Sequence, residues 1–590
     1  MSATTATRLH LHTASTRFGS AAARLALPAL VVGAGAGVAA VVFRWLIEHA
    51  TLLFTGHADY AAVSGHPANP WVPWLGPAFV VLAPVVGGLL YGPLIQRFAR
   101  EARGHGVPEV MFAVSRKGGR IRGSVAVVKA LASAICIGAG GSVGREGPII
   151  QIGSALGSTI GRWMRMPEVR LKTLVACGAA GGISATFNAP VAGVFFALEL
   201  LLRDFTPTSF GAVAIASVTA ALIGRAVFGD TAFLHLPVIG GVTPSEYLLF
   251  ALLGLLAGAI GIGFTRVLYL VEDLCDVRWR ATRGPEWLRP VAGGVLLGAL
   301  LLALPQMYGV GYPVLERGVA GQYALGFLAV LVVGKVLATS LTLGIGGSGG
   351  VFAPSLFVGA MTGAAFGEVI GALVPGMHGQ IGAFAVVGMA AVFAGSTRAP
   401  ITAGIMLFEL TGDESLILPV VVAVVIATAV SRALSRDTIY TLKLSRRGVD
   451  LTDSAPSGPQ RTGVSAGVSA RPLGAVVTTE ASAAHALGML EDHAGHPVVV
   501  VDEDGRFAGV VSARSVGDAV LGDSGSASRP VLDVVADVRP VLASAALEEV
   551  VTDVLDADET SGLPVVDAAG RPVGWLGQAD VLRALVPVTT

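Results

Sequence analysis

The sequence is short of charged residues and of cysteine, and each shortage excludes a class of protein. Charged residues make up 14% of the 590 positions and hydrophobic residues 53%, a balance that excludes intrinsic disorder. Three cysteines (Cys136, Cys177 and Cys275) in so long a chain exclude a disulfide scaffold. The formal net charge of zero shows no basic excess, which disfavours a nucleic-acid partner.

Residue groupings typical of enzymes are missing as well. The sequence shows no Ser-His-Asp grouping and no Cys/His cluster with metal-ligand spacing. Residues 144–147 resemble a phosphate-binding loop only superficially, because the Lys-Ser/Thr end is lacking. We therefore expect neither an enzyme nor a metal site.

The zero net charge conceals two halves of opposite sign. Residues 1–442 carry 29 Lys and Arg against 20 Asp and Glu, whereas residues 443–590 carry 11 against 20. The composition changes near residue 445, where a polar stretch rich in Ser, Gly and Thr begins. We predict a cytoplasmic N-terminal segment, a membrane domain, a linker and a soluble cytoplasmic domain, at 1–20, 21–445, 446–467 and 468–590.

Long uncharged runs indicate that the first part lies in a membrane. Residues 173–198 and 336–367 contain no charged residue and no histidine, and a span needs about 20 apolar residues. Residues 1–20 lack the apolar core of a signal peptide, so no cleavable leader is predicted. The other candidate spans are 26–43, 75–95, 124–141, 208–228, 247–268, 291–304, 324–341, 379–396 and 415–431.

The distribution of Lys and Arg predicts the orientation of the membrane domain. Three arginines precede the first span, and the loop 52–74 has no Lys or Arg. The next loop has seven basic residues: Arg97, Arg100, Arg103, Arg116, Lys117, Arg120 and Arg122. We therefore expect both termini in the cytoplasm, an even number of crossings and, for this multi-pass protein, a bacterial-type plasma membrane.

Glycine and proline interrupt the hydrophobic sequence where a simple helical bundle would not need them. The stretch 140–148 reads Gly-Gly-Ser-Val-Gly-Arg-Glu-Gly-Pro. Irregular backbone at membrane depth survives where it lines a cavity or is buried in protein, and broken helices commonly meet at a transport site. Because helix N-termini present free N–H groups, such breaks favour anions.

The interruptions recur, which indicates an internal repeat. Pro190 is followed nine residues later by Glu199, and Pro400 is followed nine residues later by Glu409. A Gly-rich break lies upstream in both halves, at 141–148 and 344–354, which gives an offset of about 206–210 residues. Chance similarity between Gly/Ala-rich spans is the alternative explanation.

These residues resemble the CLC family of chloride channels and chloride/proton exchangers. Three family signatures occur in order, as Gly104-His105-Gly106-Val107-Pro108, Gly144-Arg145-Glu146-Gly147-Pro148 and Gly350-Val351-Phe352-Ala353-Pro354. Tyr440 lies where the pore tyrosine of the family is expected. The resemblance covers roughly residues 20–445.

The resemblance implies an all-α membrane domain of two inverted repeats with re-entrant helices, which forms a homodimer with one anion pathway per subunit. The anion-binding residues would be His105, Gly147, Val351, Phe352 and Tyr440, acting through backbone N–H groups or side-chain donors. Glu146 would be the gating glutamate, whose carboxylate occupies an anion site until it is protonated. The alternative for Glu146 is an acid that stabilises a helix N-terminus.

Two departures from the family pattern bear on mechanism. His105 replaces a serine, and we hypothesise that it makes anion affinity or conduction depend on pH, unless its side chain is turned away. Leu200 occupies the position of the exchangers' internal proton-transfer glutamate, while Glu199 matches the acid before it. We therefore favour passive, channel-like conduction; the alternatives are a chloride/proton antiporter, with Glu146 and Glu199 as its proton pathway, and a CBS-regulated divalent-cation channel. Glu409 is expected to be a structural acid at a helix end.

The C-terminal region contains a second repeat. Gly505-Arg506-Phe507-Ala508-Gly509 recurs 65 residues later as Gly570-Arg571-Pro572-Val573-Gly574, each after a β-rich run and a turn and before a predicted helix. A further helix, predicted over 481–493, places Ala484, Leu487 and Leu490 at helical spacing, and Ala546, Val550 and Val554 take their place in the second copy. The region resembles a tandem pair of α/β CBS domains, which implies an adenine nucleotide as a ligand and Ser512 and Asp580 as its contacts. The alternative is a purely structural dimerisation module, and no other cofactor is expected.

Overall fold

The structure is a computed structural model in which two compact units are separated between Asp453 and Ser454. This division falls within the predicted linker. The described residues are 3–63, 65, 67–229, 246–374, 380–449, 465–493, 496–512, 515, 530–536, 538–545, 547–555, 557 and 562–585, with residues 3–24 described by their backbone alone.

The first unit consists of helices, as the resemblance implied. Its first half contains α1 Ala3–Thr55, α2 Phe79–Phe98, α3 Val107–Arg116, α4 Ser124–Gly138, α5 Glu146–Trp163, α6 Glu168–Phe187, α7 Pro190–Phe196 and α8 Pro207–Phe228. Its second half contains α9 Glu246–Thr282, α10 Arg289–Ala303, α11 Tyr312–Val319, α12 Leu325–Gly344, α13 Phe352–Leu373, α14 Ile381–Thr397, α15 Pro400–Thr411, α16 Ile417–Leu434 and α17 Thr441–Ser445.

Eight helices of the described chain are long and apolar enough to cross a bilayer, so the protein is an integral, multi-pass membrane protein. Four more apolar helices have 10–17 residues. A helix of 15 residues is only about 22 Å long, which is less than the hydrocarbon core of a bilayer. Helices of this length are too short to span that core straight, and such a length is expected of the predicted re-entrant helices.

The two longest uncharged runs are not single spans. Residues 173–198 extend over the end of α6 and all of α7, and Asn188 adopts a left-handed conformation between these helices. Residues 336–367 extend over α12 and α13, and Gly346 in the connection has φ 101°. The hydrophobic pattern indicates apolar surroundings but does not mark where one helix ends. The breaks between the helices are made by positive-φ backbone at Asn188 and Gly346.

The second unit contains two three-stranded sheets with the same topology. The first sheet has β1 Ala475–Thr478, β2 Val498–Val501 and β3 Phe507–Val511; the second has β4 Val541–Leu542, β5 Gly562–Val566 and β6 Pro572–Gly577. In each sheet the first two strands are parallel and the last two antiparallel. The accompanying helices are α18 Ala466–Ser469, α19 Ala483–Asp492, α20 Leu547–Leu555 and α21 Gln578–Leu585.

The hairpin turns of the two copies use the same chemistry. Asp502 Oδ1 accepts hydrogen bonds from the backbone N–H of Asp504 and Arg506, and Asp567 Oδ1 accepts from Ala569 and Arg571. The two predicted turns and the internal repeat are therefore confirmed. The helix that we predicted after the turn is present in the second copy; in the first copy most of its residues lie outside the described part of the chain.

The predicted buried face of the first tail helix is confirmed at Leu490 and wrong by one position at its other two residues. We expected Ala484, Leu487 and Leu490 to share the apolar face, but α19 buries Ala483, Ala486 and Leu490. Ala484 and Leu487 are exposed. Alanine is small enough to occur on either face, so an Ala-rich helix gives a weak periodic signal. In the second copy Val550 and Val554 are buried as predicted, and Ala546 lies outside the described residues.

The repeat of the membrane unit is visible as an exchange of hydrogen bonds between equivalent residues. Gly144 donates its N–H to the carbonyl of Gly350 at 2.8 Å, and Gly350 donates back to Gly144 at 2.6 Å. These glycines begin the second and third signatures and lie 206 positions apart. A reciprocal bond between repeat mates requires that the two halves face each other across a local twofold relation.

A second reciprocal contact joins the two halves through carboxylates. Glu199 accepts hydrogen bonds from the backbone N–H of Ile401 and Thr402, at 3.2 and 2.8 Å, at the start of α15. Glu409 accepts from Val191 and Ala192, at 2.9 and 2.7 Å, at the start of α7. Each acid therefore caps the helix that carries the other, and it satisfies N–H groups that have no partner within the helix.

We expect Glu199→Ala and Glu409→Ala to destabilise the membrane unit by similar amounts. Each change leaves two helix N-terminal donors without their carboxylate, which costs about 1 kcal/mol for a lost cap. Thermal unfolding of the purified protein in detergent would measure the shift, with Glu414→Ala at an exposed position as the control. Equal midpoints for all three variants would contradict the capping role.

Candidate functional site

The three Gly-rich signatures meet in the interior of the membrane unit. Gly104 donates its N–H to Gly347 at 3.0 Å and accepts from Gly349 at 3.3 Å, which joins the first signature to the residues before the third. The exchange between Gly144 and Gly350 joins the second signature to the third. The starts of α3, α5 and α13 are thereby brought to one place, and each start exposes N–H groups.

Two glycines make this approach of backbones possible. A Cβ atom at Gly147 would collide with the carbonyl oxygen of His105, and a Cβ at Gly106 would lie 2.7 Å from the carbonyl oxygen of Gly147. Gly106 also has φ 81°, a conformation that favours glycine. The spacing of glycine in the signatures therefore follows from main-chain contact between them.

Glu146 is fully buried at the N-terminus of its own helix and reaches the start of another. Its Oε1 accepts a hydrogen bond from the Tyr312 hydroxyl at 2.5 Å, and its Oε2 accepts from the Ala353 N–H at 3.3 Å. Ala353 is in the first turn of α13, where the helix dipole favours negative charge. The carboxylate thus lies where a small anion would be stabilised by the same donors.

His105 and Tyr440 form a second polar group in the same interior. Their ring centroids are 6.4 Å apart, and the residues are 2% and 1% exposed. Within the described part of the chain, the two ring nitrogens of His105 and the hydroxyl of Tyr440 have no hydrogen-bond partner. Because buried polar groups are nearly always satisfied, these donors fit an anion held between them.

Tyr440 is positioned by contacts of the residue before it. Ile439 donates its N–H to Ser396 at 2.9 Å, and its carbonyl accepts from the Tyr269 hydroxyl at 2.7 Å. Tyr440 then begins the short helix α17, whose Lys443 pairs with Glu272 at 3.0 Å. The tyrosine predicted to line the pathway therefore lies beside His105, although 335 positions separate the two in the sequence.

The other predicted anion ligands surround the same convergence point. Val351 precedes α13 and Phe352 begins it, while Gly147 is the second residue of α5. The Phe352 ring packs on Phe187 and Phe393, with centroid distances of 5.6 and 4.5 Å, so the side chain serves packing while the backbone remains with the site. The structure therefore brings together the five predicted ligands and Glu146.

Two fully buried lysines hold the loops that lead into α3 and α11. Lys129 Nζ donates to the carbonyls of Ala102 and Gly104, at 2.9 and 2.7 Å. Lys335 Nζ donates to the carbonyls of Gly309 and Val310, at 3.3 and 2.8 Å, and to the Ser142 hydroxyl at 3.0 Å. Each lysine therefore fixes the loop of its own repeat by charge-assisted hydrogen bonds.

A cavity of about 400 Å³ lies next to Tyr312. Its lining includes Arg44 and Glu48 of α1, Asp59 of the connection to α2, and Arg145. Burial raises the pKa of the Asp59 carboxyl, while the N–H groups of Ala61 and Ala62 and the guanidinium of Arg145 act in the opposite direction. The connection with Asp59 and the loop with His105 lie before and after α2, so Glu146 and His105 belong to opposite ends of the site.

The predicted proton-pathway acid Glu199 is not part of this group. Besides the two N–H groups at the start of α15, its carboxylate accepts the Thr402 hydroxyl at 2.6 Å. Leu200 is buried beside it in a π-helical turn, Ala197–Leu202, that continues α7. Glu199 therefore has the helix-end role that we predicted for its repeat mate Glu409, and both acids cap helices across the repeat boundary.

In the second unit, Ser512 and Asp580 are both buried and both engaged within the protein. Asp580 accepts from Arg471 Nε at 2.6 Å and from the Gly577 N–H at 3.3 Å at the start of α21. Ser512 exchanges hydrogen bonds with Ser515.

Sequence reasoning missed Tyr312 and the two lysines, although a signal for them was present. Gly309-Val310-Gly311-Tyr312-Pro313 repeats the Gly-x-Gly-x-Pro spacing of the first signature 205 residues later, and Lys129 and Lys335 each precede the proline of the next signature by 19 residues. A search for residues at equivalent positions of the two repeats would therefore have indicated Tyr312, Lys129 and Lys335.

The divalent-cation alternative lacks a ligand set in the described residues. Among them, no group of three or more His, Cys, Asp or Glu side chains could hold a metal ion. A hard cation would need several oxygen ligands, whereas the described site offers N–H and O–H donors.

Comparisons with known proteins agree with this geometry. The family model "Voltage gated chloride channel" matches residues 87–432, and the CBS domain model matches 471–522 and 532–587. A ClcB-like chloride channel protein of Ralstonia nicotianae is 33% identical over 437 residues, which are 73% of this chain and 99% of that protein.

Two further matches are named as exchangers. The H(+)/Cl(-) exchange transporter ClcA of Vibrio cholerae is 36% identical over 356 residues, which are 60% of this chain and 76% of that protein. The solved structure of a slow cyanobacterial Cl-/H+ antiporter is 28% identical, with a TM-score of 0.64, over 72% of this chain and 98% of that chain.

Proposed function

The chain belongs to the voltage-gated chloride channel (CLC) family, and on this premise we propose that it moves chloride across a membrane in exchange for protons. The support for chloride as the substrate is the family match and the names of the relatives. The support for exchange is that the Vibrio protein and the solved structure are both named as proton-coupled. The protein would act as a transporter and not as an enzyme.

The observation that carries the proposal is the position of the Glu146 carboxylate. It is buried on the first turn of α13, where it accepts the Ala353 N–H and the Tyr312 hydroxyl. A carboxylate and a chloride ion compete for donors of this kind, because both carry one negative charge. When Glu146 accepts a proton, the neutral carboxyl competes weakly, and chloride takes the donors.

The opposite end of the pathway would hold the anion with neutral donors. His105 and Tyr440 supply a ring N–H and a hydroxyl, and the N-termini of α5 and α13 supply backbone N–H groups near Gly147 and Phe352. Neutral donors stabilise a dehydrated anion without the full charge that would trap it. Movement between the two ends then depends on Glu146.

Passive chloride conduction is the second candidate, and Leu200 is the observation that favours it. Leucine carries no proton at the position where the exchangers have their internal acid, and Glu199 is occupied as a helix cap. The Vibrio protein and the solved structure, both named as exchangers, favour the exchanger over this channel-like alternative, which our sequence analysis preferred, although the Ralstonia protein is named as a channel protein. An exchanger of this sequence would have to pass protons without Leu200 and without Glu199.

We also propose the orientation and assembly that the sequence indicated. Cytoplasmic termini would place the basic loop 97–122 inside and the segment with Asp59, beside the Glu146 cavity, outside. A homodimer with one pathway per subunit would leave each pathway complete within one chain, since its predicted ligands lie in one unit of this chain. The CBS pair would bind an adenine nucleotide and regulate transport.

We expect a chloride gradient to drive protons uphill in proteoliposomes containing the protein. Glu146→Gln should abolish proton movement while chloride flux continues and loses most of its dependence on pH, because the side chain can no longer exchange a proton. Chloride and proton fluxes would be recorded together with ion-selective electrodes, and Glu414→Gln at an exposed position is the matched control. Chloride flux without proton movement in the unmodified protein would instead establish the passive channel.

His105 should make chloride binding depend on pH. Burial and the positive charges of Lys443, Lys129 and Arg447 lower the pKa of His105, so the imidazole gains its charge only at a pH below the usual range of histidine. Chloride affinity should therefore rise on acidification below about pH 5.5, once the charged form is populated. Calorimetric chloride titrations of His105→Ser should lose this pH dependence, whereas the exposed-site control His49→Ser should keep it. The same pH dependence in all three proteins would contradict the hypothesis.

The CBS pair should bind an adenine nucleotide at millimolar concentration or below. Calorimetric titration of the purified full chain with AMP, ADP and ATP would test this. Heat with at least one nucleotide, and none with a guanine nucleotide, is the expected result. Absence of heat with all three adenine nucleotides would leave a structural role for the pair.

A further inference from the structure

Tyr312 is the group that contacts Glu146 most closely, and it comes from the other repeat. Its hydroxyl lies 2.5 Å from Glu146 Oε1, whereas the backbone donor Ala353 N lies 3.3 Å from Oε2. The structural caps are bound differently: Glu199 accepts three hydrogen bonds and Glu409 two, all from the start of the mate helix. The shorter of the two hydrogen bonds that join the Glu146 carboxylate to other residues therefore comes from one phenol.

The Tyr312 ring is itself fixed on several sides. Lys335 binds the carbonyls of Gly309 and Val310, and Gly311 has φ 90°, which turns the chain into α11 just before the tyrosine. The guanidinium of Arg145 lies 5.3 Å from the ring centroid, within range of a cation–π contact. A rigid side chain held in this way presents its hydroxyl to Glu146 with little loss of entropy.

The contact between Tyr312 and Glu146 has no counterpart at the equivalent positions of the repeat. The position equivalent to Tyr312 in the first signature is Val107, which has no hydroxyl, and the position equivalent to Glu146 in the third signature is Phe352. The repeat thus places a hydroxyl and a carboxyl together at the end beside the cavity, and two apolar side chains, again one from each half, at the equivalent positions. The contact is therefore specific to the Glu146 end and does not follow from the symmetry of the fold.

We propose that Tyr312 is a positioning residue that holds the ionised Glu146 side chain in the closed position, between the cavity and the anion pathway. We call this hydrogen bond between Tyr312 and Glu146 the latch. The inference rests on the proposed function, because it assigns to Tyr312 the stability of the ionised, closed form of the gate. A hydroxyl that donates to a carboxylate stabilises the charged form over the protonated one. The latch therefore sets how acidic the medium must be before the gate opens.

The charged and titratable groups that face Glu146 come from four elements. They are Arg145 beside it, Tyr312 at the start of α11, Lys335 of α12 and Tyr440 at the start of α17. Among these, Tyr312 donates a side-chain hydrogen bond to Glu146, while Lys335 and Tyr440 act on it through electrostatic interaction. Removal of the Tyr312 hydroxyl removes the direct bond to Glu146 and the interaction of the hydroxyl with Arg145, while the charged side chains themselves stay.

The test is chloride flux against pH for Tyr312→Phe, with Tyr308→Phe as the matched control. Tyr308 also borders the cavity, but its hydroxyl donates to the Gly138 carbonyl at 2.8 Å. Loss of a hydrogen bond to a charged group should move the half-activation pH of Tyr312→Phe upward by about one unit and raise flux severalfold at neutral pH. Tyr308→Phe should keep the profile of the unmodified protein.

A second pair of measurements shows whether the effect acts through Glu146. In a Glu146→Ala background, Tyr312→Phe should change neither flux nor its pH profile, since the latched group is gone. If Tyr312→Phe does not fold, 3-fluorotyrosine introduced at position 312 keeps the ring and hydroxyl. As a stronger donor, it should move the half-activation pH downward.

The outcomes separate the latch from the proposed function. If Glu146→Ala alone keeps the unmodified pH profile, the gate itself is wrong and the proposed function fails. If Glu146→Ala removes the profile but Tyr312→Phe matches Tyr308→Phe, only the latch is wrong. A shift for Tyr312→Phe that persists in the Glu146→Ala background also overturns the latch.

Discussion

The structure depends on the unsatisfied N–H groups that helix N-termini carry into the interior of a membrane protein. Water is scarce at that depth, so these donors must be met by a carboxylate, a hydroxyl or an anion. Two inverted halves bring such termini together, and the reciprocal bonds between Gly144 and Gly350 keep them there. Close contact of backbones, and hence glycine, follows from this requirement.

The same interaction serves structure in one place and, by our proposal, gating in another. Glu199 and Glu409 satisfy the starts of α15 and α7 with several hydrogen bonds each, and they join the two halves. Glu146 meets the start of α13 through one longer bond, from the Ala353 N–H, and accepts a shorter one from the Tyr312 hydroxyl. The two caps join helices of opposite halves, whereas by our proposal the Glu146 carboxylate is displaced by chloride when it is protonated.

Much of this arrangement could be predicted from the sequence, and the failures have physical causes. The signatures, the repeat and the CBS turns follow from glycine, proline and aspartate at fixed spacings, because those residues determine local backbone geometry. The capping role of Glu199 could not be predicted from the sequence, because its partners Ile401 and Thr402 lie some 200 positions away. They meet Glu199 only through the way in which the two halves face each other. The buried face of α19 was misplaced because alanine marks neither face of a helix.

The sequence by itself determined that the chain is a CLC membrane domain with a CBS tail, and that Glu146 lies in a break between apolar segments. These properties are encoded by local composition and short-range spacing. Only the tertiary structure decided which donors meet that carboxylate, that His105 and Tyr440 adjoin, and that Tyr312 closes on Glu146 from the opposite repeat. Those contacts join residues 166 to 335 positions apart, and they exist because the two halves pack against each other in inverted orientation.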